Sequence, residues 1–369
     1  MSAVKTKAAP EAPLATTKPD FAEARTRWNH YWAGEVWKRP PVVADVPKPG
    51  KEWQGHGDRY YMAIQGKWDE QLAQVDRWLE STDFVADSIP NFAPDFGPDQ
   101  FAAFFGGSFR ISEDSRGTSW IPAFVDDWAK VLPLVFDTSN TWWRRILEYS
   151  RKIRAHSRGR YLVGVCDLHS NADTLLAMRG AQRLCMDFYD VPDLVGKAMQ
   201  NVRAAYRPVY EGLYEAGGMS RATGTIGWAP FWCEGRFATI QCDFICMVSP
   251  EMSRKYIIPA LEEEANFLDH CVYHLDGPGT MPHLDDILSI KRIDVIQWVS
   301  GAGQPPMHTW LDLLKRCQKA GKGLQLYGMN IEEAKVLHKK LAPKGIMYCV
   351  GGRDRREIED FTAWLERNT

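Results

Sequence analysis

Apolar and polar positions alternate along this chain in two periods. From Phe21 to Trp37 the apolar residues recur at helical spacing, with Trp28, Tyr31 and Trp32 on or near one face, which predicts an amphipathic helix. Arg39-Pro-Pro-Val-Val-Ala-Asp-Val46 then reads as a strand, its prolines at the entrance where a missing donor does no harm. Helical spacing returns over Tyr60–Leu79, and Asp83-Phe-Val-Ala-Asp87 predicts a second short strand. Residues 89–135 are rich in Phe, Gly, Pro and Asp and lose periodicity. A long excursion is expected there, carrying Gly106, Gly107 and a strand-like Ser119–Val125. Loops of that length tend to be functional. Ser139 is expected to cap a helix that reaches His156.

The rest of the chain alternates strand and helix. Strands are expected at Tyr161–Cys166, Gly224–Trp228, Phe237–Gln241, Cys271–Tyr273, Ile293–Val299, Gly323–Tyr327 and Ile346–Val350. Helices are expected over about 172–184, 191–216, 284–290, 307–319 and 331–341, with a last one to Arg367. Ser249-Pro250-Glu251 starts another, running to Leu268: a Ser cap, Pro in the first turn, and an acid at the positive end. Such alternation with short connections means parallel strands and crossover helices. Strands near 42, 84, 162, 225, 272, 295, 324 and 347 make eight βα units. That is the count of an α/β TIM (β/α)8 barrel, here with an N-terminal helical extension and a long loop excursion after strand 2. A doubly wound open sheet is the alternative, but no Gly-x-Gly-x-x-Gly follows an early strand. Residues 1–22, rich in Ala, Lys, Thr and Pro, are expected to form a disordered tail, and 23–369 a single domain.

Composition narrows the function classes. The chain has 369 residues, 45% of them hydrophobic and 25% charged, with a net charge of -2 and no basic block. Nucleic acid and anionic membrane surfaces are not expected as partners. No apolar run approaches the roughly 20 residues of a membrane span. Eight cysteines without a C-x-x-C pair fit a reducing, cytoplasmic setting. Fifteen tryptophans serve a core, and also suit a cavity that holds a flat or apolar small-molecule substrate.

The chemistry concentrates in Cys271-Val-Tyr-His-Leu-Asp-Gly-Pro-Gly279. On a strand, His274 and Asp276 point to one face, and Gly277 and Gly279 end the strand sharply. Such a pair can share a metal, a substrate or a proton; alternatively, the Asp satisfies its neighbouring His. In a barrel, the C-terminal strand ends form the active-site rim. That puts Asp167, His169, Trp228, Glu234, Gln297, Trp298, Tyr327 and Cys349 on the same rim as His274 and Asp276. An imidazole, a carboxylate and a thiol from different strands form a metal-capable set.

From Arg25 to its end the chain resembles the uroporphyrinogen decarboxylase superfamily, and within it the branch of cobalamin (corrinoid)-dependent methyltransferases. The resemblance lies in Cys242-Asp-Phe-Ile-Cys-Met-Val-Ser249-Pro-Glu-Met252, in Tyr273-His-Leu-Asp-Gly277, in Ile293–Val299, and around Asp167 and Met178-Arg-Gly180. It implies a methyltransferase that moves a methyl group between a corrinoid, delivered by a separate carrier protein, and a small substrate. It also implies zinc, held in that branch by a His-x-Cys pair and a Cys near the last strand. Here His274 matches the His, Cys349 the last Cys, and Gln297 stands where a related enzyme has Glu. Asp276 replaces the first Cys, a harder ligand. His274 and Asp276 are thus the expected catalytic pair, with Asp167, His169, Trp228, Trp298 and Tyr327 lining the substrate pocket. The Arg-rich loop of the decarboxylase is absent from Ala44-Asp-Val-Pro-Lys-Pro-Gly50. A metal-free lyase acting on another carboxylated substrate, and a non-catalytic corrinoid- or tetrapyrrole-binding protein, are the alternatives. Asp167-Leu-His169-Ser-Asn-Ala172 partly mimics the cobalt-binding motif of corrinoid proteins but lacks its Gly. Dimers are common among such barrels, so a homodimer is expected by analogy.

Overall fold

The computed structural model describes residues 14–55, 57–111 and 117–369. The chain is a mixed α/β fold. Its strands are β1 (Val42–Pro47), β2 (Thr82–Ala86), β3 (Asn91–Phe92), β4 (Leu162–Val163), β5 (Thr225–Ile226), β6 (Trp232–Cys233), β7 (Phe237–Ile240), β8 (His270–Asp276), β9 (Val295–Val299), β10 (Gly323–Tyr327) and β11 (Ile346–Cys349). Seven of them form one sheet in the order β2-β1-β11-β10-β9-β8-β7. Within it the neighbours from β1 through β7 are parallel, and β2 is antiparallel. β3 pairs in parallel with β4, and β5 pairs antiparallel with β6. A parallel bridge from Val165 to Gly227 joins these two pairs.

The strand expected near residue 84 is present but runs against β1. Helix Trp68–Ser81 leads straight into Thr82, which pairs with Pro47 at the C-terminal end of β1. The chain enters at that end, so β2 can only run back. The parallel strand comes next, as β3, inside the stretch expected to be a loop excursion.

The parallel strands of the sheet bury residues on both faces, as strands covered by helices do. Val42, Ala44, Tyr273, Ile296, Leu324 and Tyr348 pack with the helices in the larger core. Val43, Leu162, Ile226, Phe237, Val272, Val295 and Met347, on the other face, form a second cluster with Trp28 and Tyr31 of the first helix.

Local chemistry accounts for the remaining differences. The first helix spans Phe21–Trp32 and stops short of Trp37, because Gly34 takes a left-handed φ of 71°. The cap of helix Thr141–Ser157 is Asn140, whose side chain accepts from Trp143 N at 3.0 Å, and not Ser139. The helix expected from Ser249 widens into a π turn over Ser253–Ile257, just before Pro259, which has no N–H to give. The expected disordered tail is also too long. Leu14 is fully buried, and Lys18 donates to the carbonyls of Phe84 (3.1 Å) and Ala86 (2.6 Å). Residues 14–20 are held by that burial, while residues 1–13 lie outside the described part. Among the described residues, no helix is long and apolar enough to cross a membrane.

One buried carboxylate ties the first helix to the sheet. Asp87, with no exposed side-chain surface, meets Arg27 and Arg39 at 2.6 Å each and accepts from Val42 N at 2.9 Å. Burial opposes its ionisation, but the two guanidinium groups outweigh that and hold its pKa below the usual range. Asp87→Ala would leave two buried cations without a counter-charge. It should cost about 3–5 kcal/mol in urea unfolding.

Candidate functional site

β8 and β9 pair so that His274 lies level with Gln297, and Asp276 with Val299. In parallel strands, level residues share a face, so His274, Asp276, Gln297, Gln325, Tyr327 and Cys349 all look to the side of Val272 and Met347. A hydrogen-bonded row crosses that face. Gln297 Nε2 donates to Gln325 Oε1 at 2.7 Å, so Gln297 turns its Oε1 toward His274 Nδ1. Facing that oxygen, Nδ1 is the donor, and in the neutral ring the lone pair is then on Nε2. The indole of Trp228 stands edge-on to the imidazole, with ring centres 5.3 Å apart. Asp243, just after β7, completes the group. One ligand-capable atom each from Asp243, His274 and Asp276 lie within 4.8 Å of one another.

A second cluster adjoins the first. His169 is nearly buried, its side chain 13% exposed. Its Nε2 lies 3.0 Å from Asp167 Oδ2 and its Nδ1 3.3 Å from Asp173 Oδ2. The Gln241 amide nitrogen closes over His169 Nε2 and donates to Asp167 Oδ1 at 3.2 Å. Burial alone would discharge this imidazole, but Asp167 and Asp173 prevail and hold its pKa well above the ordinary value. It is therefore an imidazolium at neutral pH. Asp173 also accepts from the amides of Asp243 (3.0 Å) and Phe244 (2.8 Å), at the start of the 3-10 turn Asp243–Met247. Asp243 Oδ2 stands 4.0 Å from His169 Nδ1. Burial, then repulsion from Asp173, push Asp243 up to about 6, against the pull of His169 and His274.

Further carboxylates flank these clusters. Asp95 accepts from Gly97 N and from Gln100, and faces Arg59 at 3.4 Å. Burial raises it to about 6 in spite of Arg59. Asp45 points to the same side of β1 as Val43 and accepts from Ser88. It keeps accessible surface, yet burial raises it to about 6.

The predicted residues divide accordingly. His274, Asp276, Gln297 and Trp228 come together, and Asp167 and His169 form the adjoining cluster. Tyr327 shares their face and donates to the Trp298 carbonyl at 3.0 Å. Burial and the nearby charge of Asp276 raise its phenol to about 12. Trp298 does not join them. Alternation turns it to the opposite face from Gln297, where it is 1% exposed and packs edge-on against Trp310. Cys349 lies on the site's face at the end of β11, level with Tyr327 and Val43, but outside the group around His274. Burial and Asp45 raise its thiol to about 12. Glu234 lies at the other end of the strands, bound by Arg25 (2.6 Å) and Asn29 (2.9 Å) of the first helix. The hairpin of β5 and β6 has by then turned the chain back.

Asp243, Asp173 and Gln241 are not among the site residues expected from the sequence. Their signal was available: Gln241-Cys-Asp243 ends the apolar run Phe237–Ile240 as His274 and Asp276 end theirs. A count of eight strands omits that run, and with it the polar end that lies beside His274.

No protein-family model matches the sequence, and no curated protein sequence matches it. Among solved structures, a methyltransferase from Methanosarcina mazei shares the fold at a TM-score of 0.59. The match covers 94% of this chain and 98% of that one, at 12% sequence identity.

Asp173 is the residue both clusters lean on. Asp173→Ala removes half of the His169 counter-charge and strips the Asp243 and Phe244 amides of their acceptor. It should cost about 2–4 kcal/mol in urea unfolding, and Asp173→Asn, which keeps an acceptor, less. Because the folded pKa of His169 is raised, the stability its charge brings is complete below the ordinary His value and is lost as pH rises through the raised one. The stability gap between the wild type and His169→Gln should therefore narrow as pH rises above neutral.

Proposed function

We propose that the chain is a methyltransferase that moves a methyl group between a corrinoid, brought by a carrier protein, and a small substrate. The observation that carries this reading is the convergence of Asp243, His274 and Asp276 at the C-terminal ends of parallel strands. The fold shared with a methyltransferase supports it. On this reading the strands are staves of one closed (β/α)8 barrel, with β2 as an inserted antiparallel strand, and the group sits at its mouth.

The donor set fits a divalent cation, zinc among them. One imidazole and two carboxylates make three ligands, and Gln297 leaves the ring nitrogen opposite its own bond free to coordinate. When bound, such a cation supplies Lewis acidity that lowers the pKa of an acceptor group. The protein does the rest. Trp228 fixes the ring plane of His274 and shields it from water. Asp173 holds Asp243 in place by its backbone. Tyr327 and Cys349, both protonated, stand level with each other on the same face of the sheet as Asp276. In a transfer to an acceptor X–H, the X–C bond forms, the electron pair of the broken methyl bond stays with the carrier, and the X–H proton leaves.

A metal-free lyase acting on a carboxylated substrate would draw on Arg59 and the His169 imidazolium. Asp95 already answers the first charge, and Asp167 and Asp173 the second. That leaves little to bind a carboxylate and favours the first reading.

Elemental analysis of the wild type after supply of zinc should show one metal per chain, and none in His274→Ala. Gln297→Ala should bind it roughly 10–100-fold more weakly. Demethylation of methylcobalamin in the presence of candidate acceptors, read by visible absorbance, should fall in step. A wild type that binds no divalent cation would sink the metal-assisted part of this reading.

A further inference from the structure

Behind the His169 cluster lies a buried acid with no role in the function proposed above. Glu264, on helix Ile258–Phe267, is 3% exposed. Its Oε1 accepts from Ser170 Oγ at 2.6 Å and from Asn171 Nδ2 at 3.2 Å. These are the two residues that follow His169. Asn171 is fully buried at a left-handed φ of 57°, a conformation an L residue keeps only where its surroundings impose it. The same Nδ2 donates to the carbonyl of Gln241 at 3.0 Å, and Gln241 in turn covers His169 and Asp167. The bonds from Glu264 thus end on both sides of the imidazolium.

The other oxygen, Oε2, is buried with no hydrogen-bond partner among the described residues. A carboxylate so placed would lack both solvation and a cation. We infer that Glu264 is a positioning residue for the site: it holds the turn that carries His169 through Ser170 and Asn171, and it does so as a neutral acid.

The groups around it agree. Ser170 faces it from the turn, Asn171 and Asp173 from the first turn of helix Asn171–Arg179, Glu263 neighbours it on its own helix, and Tyr206 approaches from helix Pro192–Gly217. Arg203 and Arg207 line a 410 Å³ groove together with Glu264, but Arg203 is taken by Glu263 at 2.8 Å and Arg207 by Glu211 at 3.0 Å. Burial outweighs the bonds from Ser170 and Asn171 and raises Glu264 to about 8, so it is protonated at neutral pH. Oε1 then behaves as a carbonyl oxygen accepting two donors, and the proton rides on Oε2. An amide reproduces that pattern. The inference holds whichever group the enzyme transfers.

The test needs no substrate. In protein labelled with 15N-histidine, the ring signals of His169 are assigned by their loss in His169→Gln. At neutral pH, Glu264→Gln should leave them at the wild-type position, whereas Glu264→Ala and Ser170→Ala should both move them. Infrared spectra of the wild type should carry a protonated-carboxyl stretch that Glu264→Gln removes. If Glu264→Gln moves the His169 signals as far as Glu264→Ala does, the acid works charged and the inference is overturned. Wild-type signals in Glu264→Ala would overturn the positioning role itself. Should that variant not fold, Ser170→Ala decides the same point: a ring that stays put sinks the role.

Discussion

A buried imidazolium between two carboxylates sets the terms for the rest of the site. Taking an ion out of water costs several kcal/mol even after relaxation, so its partners have to be fixed in place. His169 meets Asp167 and Asp173 within about a hydrogen-bond length on each side. Asp173 is fixed in turn by the amides of Asp243 and Phe244. Those bonds start the turn after β7 at one defined place, and so bring the Asp243 carboxyl to His274 and Asp276. The metal-capable group is thus partly a consequence of a charge buried next to it. A neutral residue at 169 would leave Asp173 an uncompensated buried anion and the Asp243 turn with one less reason to hold its shape.

The second half of the group depends on sheet register. His274, Gln297 and Gln325 sit on three neighbouring strands, and parallel pairing sets them side by side on one face. A chain of amides across strands has a direction, because each amide gives at one end and accepts at the other. Gln325 takes the hydrogen of Gln297, so Gln297 can only accept from His274. One oxygen on β10 therefore decides which imidazole nitrogen on β8 keeps its lone pair. Glutamate at 297 would also accept from His274, but it would repel Asp276 and could not donate to Gln325.

How much of this the sequence shows depends on the range of each signal. The run from β8 to β11 is legible because each strand is a short apolar run ended by Gly or a polar pair, and each is followed by a helix. Period two alone puts His274 and Asp276 on one face. Period two also turns Gln297 and Trp298 to opposite faces. The direction of β2 is not legible. It follows from where helix Trp68–Ser81 ends in space, and no local pattern at residues 82–86 records that. Gln241 and Asp243 follow an apolar run as informative as any other, but a rule of eight strands left it uncounted. Glu264 lies in a helix whose pattern only says that this position faces inward. Its partners, Ser170 and Asn171, are more than ninety residues away in the chain.

Charge balance gives the proposed chemistry its direction. Asp95 is answered by Arg59, while His169 is one cation shared by Asp167 and Asp173 and lies only at the edge of Asp243, which leaves His274 as the imidazole grouped with Asp243 and Asp276. The pKa of Asp243, raised to about 6, reflects that shortage of positive charge along with its burial. A divalent cation would relieve it. The thiol of Cys349, raised to about 12, is too weak an acid to serve as a thiolate at neutral pH where it stands. A cation held by one nitrogen and carboxylate oxygens keeps more of its charge than one held by thiolates, which donate electron density more readily. On the proposed reading, replacing the first cysteine of the methyltransferase pattern with Asp276 would therefore sharpen the Lewis acid. Such a site would be suited to an acceptor harder to deprotonate than a thiol.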